Sequence, residues 1–237
     1  MEIILVRHGE STANAGGVLA GRDDSVELTD QGRTQVREAR DLIPELTSDR
    51  PAAVFSSPIR RCLMTAHELM NVHEPIAAAD PAASPQSRGP HSPCTVLQDL
   101  SEVDYGDWTG RRIRDLLDEP LWETVRAAPS RARFPGGESL AEVALRSRSA
   151  LESACEQARD SGAKVAILVS HGDVIKLMLA HALGMEVDCF QRIAVAPASV
   201  SRLMVGKNGS VPPMTVTMLG ATARGRRAQA RQPGGGR

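Results

Sequence analysis

The chain has 237 residues, of which 41% are hydrophobic and 24% charged, enough apolar material for one well-buried domain of ordinary globular type. A net charge of −1 offers no global pull toward nucleic acid or an anionic membrane surface, so any anion-binding power must be local. No apolar run approaches the roughly 18 residues that a membrane-spanning helix needs, and the N-terminal run is too short for a signal segment.

Cys62, Cys94, Cys155 and Cys189 are widely spaced and form no Cys-x-x-Cys pair. Neither a disulfide framework nor a zinc knuckle fits them, which predicts a reducing, cytoplasmic setting.

In chain order, Ile3–Val6 is a continuous apolar run rich in β-branched residues, the pattern of a strand buried on both faces in a parallel sheet. Asp30 is placed to cap a helix that runs to about Ile43, where Pro44 stops it. Ala53–Phe55 reads as a second strand, and Ile59–Met70 carries Leu63, Ala66 and Met70 at helical spacing. Residues 75–94, rich in Pro, Ala and Ser, read as a long surface loop. Ser139 is a cap for a helix marked by Leu140, Val143, Leu151 and Ala154. Val165–Val169 is a further buried strand, and Asp173 begins a helix to about Leu183 that Gly184 closes. Val200–Val205 and Met214–Leu219 add strands. This alternation predicts an α/β fold, a three-layer α/β/α sandwich with a mostly parallel central sheet, as a single domain over 1–220. From Ala221 to Arg237 the chain is Arg, Gly, Gln and Pro with hardly an apolar anchor, so it is expected to be a disordered tail rather than an RNA-binding arm.

Two junctions match. Arg7-His8-Gly9 follows the first strand, and Ser170-His171-Gly172 follows the late one. In open α/β sheets ligands bind in the crevice beyond the carboxyl ends of the strands, so two histidines far apart in sequence are placed to face one another. Helix N-termini there favour phosphate, and Arg7 adds a fork suited to phosphate oxygens. Glycine beside each histidine suggests close backbone approach to a ligand.

The segment Leu5-Val6-Arg7-His8-Gly9-Glu10-Ser11-Thr12-Ala13-Asn14 resembles the signature of the histidine phosphatase superfamily, the phosphoglycerate-mutase-like enzymes. The resemblance continues through Ser56-Ser57-Pro58-Ile59-Arg60-Arg61-Cys62-Leu63-Met64-Thr65-Ala66, then through Leu100-Ser101-Glu102-Val103-Asp104-Tyr105-Gly106-Asp107-Trp108-Thr109-Gly110. It is completed by Phe134-Pro135-Gly136-Gly137-Glu138-Ser139 and Ser170-His171-Gly172, in family order. One departure is Cys62, where alanine is usual.

The resemblance implies His8 as nucleophile, Arg7 and Arg61 as phosphate clamp, Glu102 as proton donor, His171 as second phosphate-contacting histidine and Asn14 as a further phosphate contact. Arg60 is expected to be a solvated neighbour of Arg61. The chemistry expected is metal-free and cofactor-free phosphomonoester hydrolysis of a small phosphorylated metabolite through a phosphohistidine. Nucleic acid and membrane are not expected partners, and the sequence leaves a homodimer open.

For His8 to attack it must be neutral, which Arg7, Arg61 and a protonated His171 are expected to enforce. A dianionic phosphate is expected to raise the pKa of Glu102 against the arginines. A phosphoglycerate mutase-type activity is the alternative, although the interval between Glu102 and His171 carries no recognisable mutase insertion. A phosphate-binding module without chemistry is the third reading, against which every implied catalytic residue is present. His67, His73, His91 and His181 show no ligand spacing, and Trp108 and Trp122 read as packing residues. Asp23 and Asp24 read as a surface turn that could also border the substrate.

Overall fold

Ile3, Ile4, Leu5 and Val6 are at most 1% exposed, and a run apolar on both faces is stable only in a sheet covered on both sides. In the computed structural model, which describes residues 1–47, 52–71, 94–206 and 214–223, this run is the core of strand β1 (Glu2–Arg7). On one side β1 pairs in parallel with β4 (Val165–Ser170), and on the other it pairs antiparallel with β5 (Val200–Val205). Strand β2 (Ala52–Ser56) and the short β3 (Thr95–Val96) extend the parallel side, while β6 (Met214–Ala221) pairs antiparallel with β5. The order is β3-β2-β4-β1-β5-β6.

The helices are α1 (Thr12–Gly16), α2 (Asp30–Ala39), α3 (Arg60–Met70), α4 (Ile113–Leu116), α5 (Pro120–Ala127), α6 (Leu140–Asp160) and α7 (Gly172–Ala182). Alternation along the strands divides the core. Ile3 and Leu5 join Ala166 and Leu168 beneath α6 and α7, whereas Ile4 and Val6 join Val165, Ile167 and Val169 beneath α2 and α3. The expected three-layer sandwich with a mostly parallel sheet is therefore present, its two antiparallel strands at one side.

Several boundaries differ from expectation for local reasons. The cap of α2 is Thr29, not Asp30, because the Thr29 hydroxyl accepts from the Gly32 amide at 2.9 Å. Helix α7 begins one residue early, with His171 itself at the cap position. Ser139 and Glu142 form the reciprocal capping box expected for α6. The tail expected from residue 221 begins later, since Ala221 belongs to β6 and Ala223 is buried; residues 224–237 lie outside the described residues. So does the loop expected at 75–94, apart from its last residue, Cys94, which is buried. Trp108 stacks on Trp122 as packing residues do.

Register decides where the chemistry goes. Arg7 and Ser170 are cross-strand partners in the β1/β4 pair, so the next residues, His8 and His171, leave the sheet side by side.

The turn after β1 is pressed against α2. A Cβ on Gly9 would lie 2.5 Å from the Gly32 carbonyl oxygen, and one on Gly32 would lie 2.0 Å from that of Glu10. Gly32→Ala is therefore expected to force backbone movement and destabilise by about 1–3 kcal/mol. Thermal denaturation should show the lowered Tm; an unchanged Tm would mean that α2 can retreat without loss.

Candidate active site

His8 is 2% exposed and its Nδ1 lies 2.7 Å from the Gly9 carbonyl oxygen, a pure acceptor. Nδ1 therefore carries the proton and Nε2 keeps its lone pair. The backbone around it is fixed by His8 N–H donating to Ser170 O and Ala198 N–H donating to His8 O, each at 3.0 Å.

Arg61, from the first turn of α3, is the link between the two junctions. Its Nε donates to His8 Nε2 at 3.3 Å, and one terminal nitrogen donates to His171 Nδ1 at 3.1 Å. The carbonyls of Gly21 (2.7 Å) and Asp23 (3.3 Å) hold the rest of the guanidinium, which is why the Asp23–Asp24 turn borders the site through its backbone. Arg60 points elsewhere, pairing with Glu27 at 2.6 Å as a half-buried neighbour.

Because Arg61 can only donate, His171 Nδ1 is an acceptor and its Nε2–H faces Ser57 Oγ at 2.8 Å. The two imidazole centroids are 5.3 Å apart. Burial, then Arg61 and Arg7, push the His8 pKa well below the ordinary value. Burial, then Arg61, His8 and Arg7, do the same to His171. The protonated His171 expected from sequence is therefore not the state of the free site: three basic neighbours and no solvent make a further cation too costly.

Arg7 donates to Val195 O at 2.7 Å, while its buried Nε has no hydrogen-bond partner among the described residues. A Cβ on Gly172 would sit 3.3 Å from the Arg7 guanidinium carbon. Both histidine-flanking glycines thus make room for protein, α2 in one case and Arg7 in the other, rather than for a ligand.

Glu102 is 9% exposed; Oε1 accepts from the Val103 amide at 3.0 Å, and Oε2 lies 3.8 Å from His171 Nδ1. Its pKa is pushed up to about 7 by burial first and then by Asp173, against Arg61, the Val103 amide and Arg7. Burial and Asp173 therefore raise it in the site without any bound phosphate. Asp173 in turn accepts from Tyr105 Oη at 3.0 Å and from Lys176 Nζ at 3.1 Å.

Asn14 is exposed, and its Oδ1 caps α1 by accepting from Ser11 N–H (3.1 Å) and Ser11 Oγ (3.0 Å). The structure thus gathers His8, Arg61, His171 and Glu102 by direct contacts, sets Arg7 against the first residue of α7, and leaves Asn14 exposed on α1 with its side chain bonded to Ser11. Sequence reading passed over Ser57, Asp173, Tyr105 and Cys62, whose Sγ lies 3.4 Å from His171 Nε2. Ser57 and Cys62 lay inside a quoted motif; nothing in the pattern marked Asp173 beyond its place beside His171-Gly172. Burial raises the Cys62 thiol to about 12, so it stays protonated. Among the described residues, no three His, Cys, Asp or Glu side chains cluster as a metal set, and no helix is long and apolar enough to cross a membrane.

A sequence model of the histidine phosphatase superfamily (branch 1) matches residues 3–212. The chain belongs to this superfamily. Among its relatives in the superfamily, the glucosyl-3-phosphoglycerate phosphatase of Mycolicibacterium vanbaalenii is 31% identical over 192 residues, 78% of this chain and 76% of that protein. A protein of Erwinia tasmaniensis named as probable phosphoglycerate mutase GpmB is 28% identical over 207 residues, 86% of this chain and 84% of its own. The fold matches the crystal structure of the α-ribazole phosphatase from Shigella flexneri with a TM-score of 0.72 at 22% identity, covering 93% of this chain and 96% of that one.

The raised Glu102 pKa has a consequence for stability. Between the ordinary glutamate value of 4.5 and about 7, the folded state binds a proton that the unfolded state does not, so this group's contribution to stability is lost as pH rises through that window. The two histidines act oppositely, since the unfolded chain takes up their protons below 6.5. Comparing urea denaturation of wild type and Glu102→Gln isolates the first effect. Relative to the variant, wild type should lose stability from pH 4.5 to about pH 7; a difference flat in pH would show that Glu102 titrates normally.

Proposed function

We propose that the protein is a metal-independent phosphomonoester hydrolase that works through a phosphohistidine on His8. The observation that carries this reading is the buried, neutral His8, whose Nε2 accepts from Arg61 and whose ring lies 5.3 Å from that of His171, with an elevated-pKa carboxyl nearby.

In the resting site Arg61 donates to the two imidazoles. An arriving phosphoryl dianion offers better acceptors, so Arg61 and the unpartnered Arg7 Nε turn to its oxygens and release the His8 lone pair. The same negative charge offsets the cations and allows His171 to take up a proton and donate to the phosphate. Asn14, whose cap uses only its oxygen, has its amide nitrogen left for a further contact. Arg7 and Arg61 supply the electrostatic stabilisation that a metal ion would otherwise provide.

His8 Nε2 then attacks phosphorus, the P–O ester bond breaks, and Glu102 gives its proton to the departing alkoxide. In the second half Glu102 takes a proton from water, the water oxygen attacks phosphorus, and the P–N bond electrons return to Nε2. A pKa of about 7 suits both halves, because acid and base forms are each populated near neutrality. The substrate is read as a small phosphorylated metabolite, in line with the names of the relatives. A cytoplasmic setting belongs to the same reading, supported by four free cysteines, of which three are buried.

The likeness to the Erwinia protein favours a second reading, phosphomutase, in which the phosphoryl group returns to the substrate. A panel of phosphorylated metabolites assayed with chelator present separates them: phosphate release supports hydrolysis, and isomerisation of 3-phosphoglycerate without release supports the mutase. His8→Ala should abolish turnover and the acid-labile protein-bound phosphate. Glu102→Gln should keep KM nearly unchanged while lowering kcat by roughly 10²–10⁴-fold. Activity lost on chelation, or an unimpaired Glu102→Gln, would contradict the mechanism.

A further inference from the structure

The segment Phe134–Ser139 stands out in the sequence, yet the chemistry above uses none of it. In the structure its Glu138 lies at the centre of a network that grips the proton donor's main chain. Arg146, on α6, meets the Glu138 carboxylate with two parallel hydrogen bonds, each 2.9 Å. The same guanidinium donates to the carbonyls of Asp99 (2.9 Å), Ser101 (2.7 Å) and Glu102 (3.0 Å). Glu138 Oε2 also meets Arg22 at 3.0 Å and accepts from the Asp104 amide at 3.0 Å. Arg22 Nε in turn donates to the Glu102 carbonyl at 3.0 Å.

Two guanidiniums thus converge on the peptide oxygen of the acid, and one carboxylate holds both. Arg22 lies between Gly21 and Asp23, whose carbonyls hold Arg61. Glu138 therefore ties the loop that carries the proton donor to the loop that seats the phosphate clamp. The fit is close on both sides: a Cβ on Gly137 would lie 2.3 Å from the Asp104 carbonyl oxygen, and one on Gly106 would lie 2.0 Å from that of Pro135.

We propose that Glu138 is a positioning residue for proton donation, setting Glu102 in register with the Arg61 clamp through Arg22 and Arg146. The proposal rests on the phosphohistidine reading. Proton delivery matters only when the leaving group needs it: an alkoxide does, whereas 4-nitrophenolate leaves as a stable anion. Displacing an acid by about an ångström can lower a rate on the order of 10²-fold.

The test is single-turnover formation of acid-labile phosphate on His8, using the alkyl phosphate turned over fastest in the panel and, separately, 4-nitrophenyl phosphate. Glu138→Gln should slow the alkyl reaction by roughly 10–100-fold and leave the nitrophenyl reaction unchanged. On a Glu102→Gln background it should add no further loss, since the group it positions is gone. Glu142→Gln, which removes the charge paired with Arg133 but nothing that holds Glu102, should leave both reactions as in wild type. Should Glu138→Gln not fold, Arg22→Met at a more exposed position is expected to give the same ester-selective loss. Equal losses with both esters, or an added loss in the double variant, would overturn the proposal. If wild type forms no acid-labile phosphate with either ester, the phosphohistidine reading fails and this proposal with it.

Discussion

The structure is organised around a cation placed where water cannot reach it. Arg61 is 1% exposed, and its hydrogen-bond partners are two imidazole nitrogens and two carbonyl oxygens. Among the described residues no carboxylate lies within ion-pair distance of it. A buried charge satisfied only by neutral acceptors is expensive, and the expense is distributed: both histidines are kept neutral and Arg7 is left with an unpartnered nitrogen. A phosphoryl dianion is the group that relieves all three conditions together. On the proposed reading, affinity for phosphate would arise from what the fold leaves uncompensated, which is how a chain of net charge −1 would draw an anion to one point.

The two carboxylates at the site divide their environments. Asp173 receives hydrogen bonds from Tyr105 and Lys176, whereas Glu102 has one backbone amide and deep burial. Neighbouring acids in unequal surroundings are the usual means of keeping one of them protonated near neutrality. The sheet contributes by rigidity: both histidines leave adjacent central strands, so their separation is set by strand spacing and does not depend on a loop.

Much of this was legible in the sequence because the strongest signals are local. Continuous β-branched runs marked β1 and β4, Ser139 marked the start of α6, and the two His-Gly junctions marked the site. The shorter pieces, α1, α4, α5 and β3, carry too few residues for a period to register, and tertiary contacts hold them. What misled was chemistry read without neighbours. Gly9 and Gly172 looked like ligand-approach positions, but their Cβ directions point at Gly32 and Arg7. His171 looked like a cation until its burial beside Arg61 was seen. The segment that carries Glu138 was visible as a motif, but its contacts were not, since Arg22, Asp104 and Arg146 come from three separate segments.

The placement of β1 has an implication for how the protein comes into being. The strand that leads into His8 pairs Glu2 with Val165 and Val6 with Val200, so this segment waits for ones far downstream before it finds its neighbours. Contacts so distant along the chain form late and slowly. Until β4 and β5 arrive, His8 lacks the second imidazole and the amide that fixes its carbonyl. A chain that stops short of these two strands therefore holds an incomplete site.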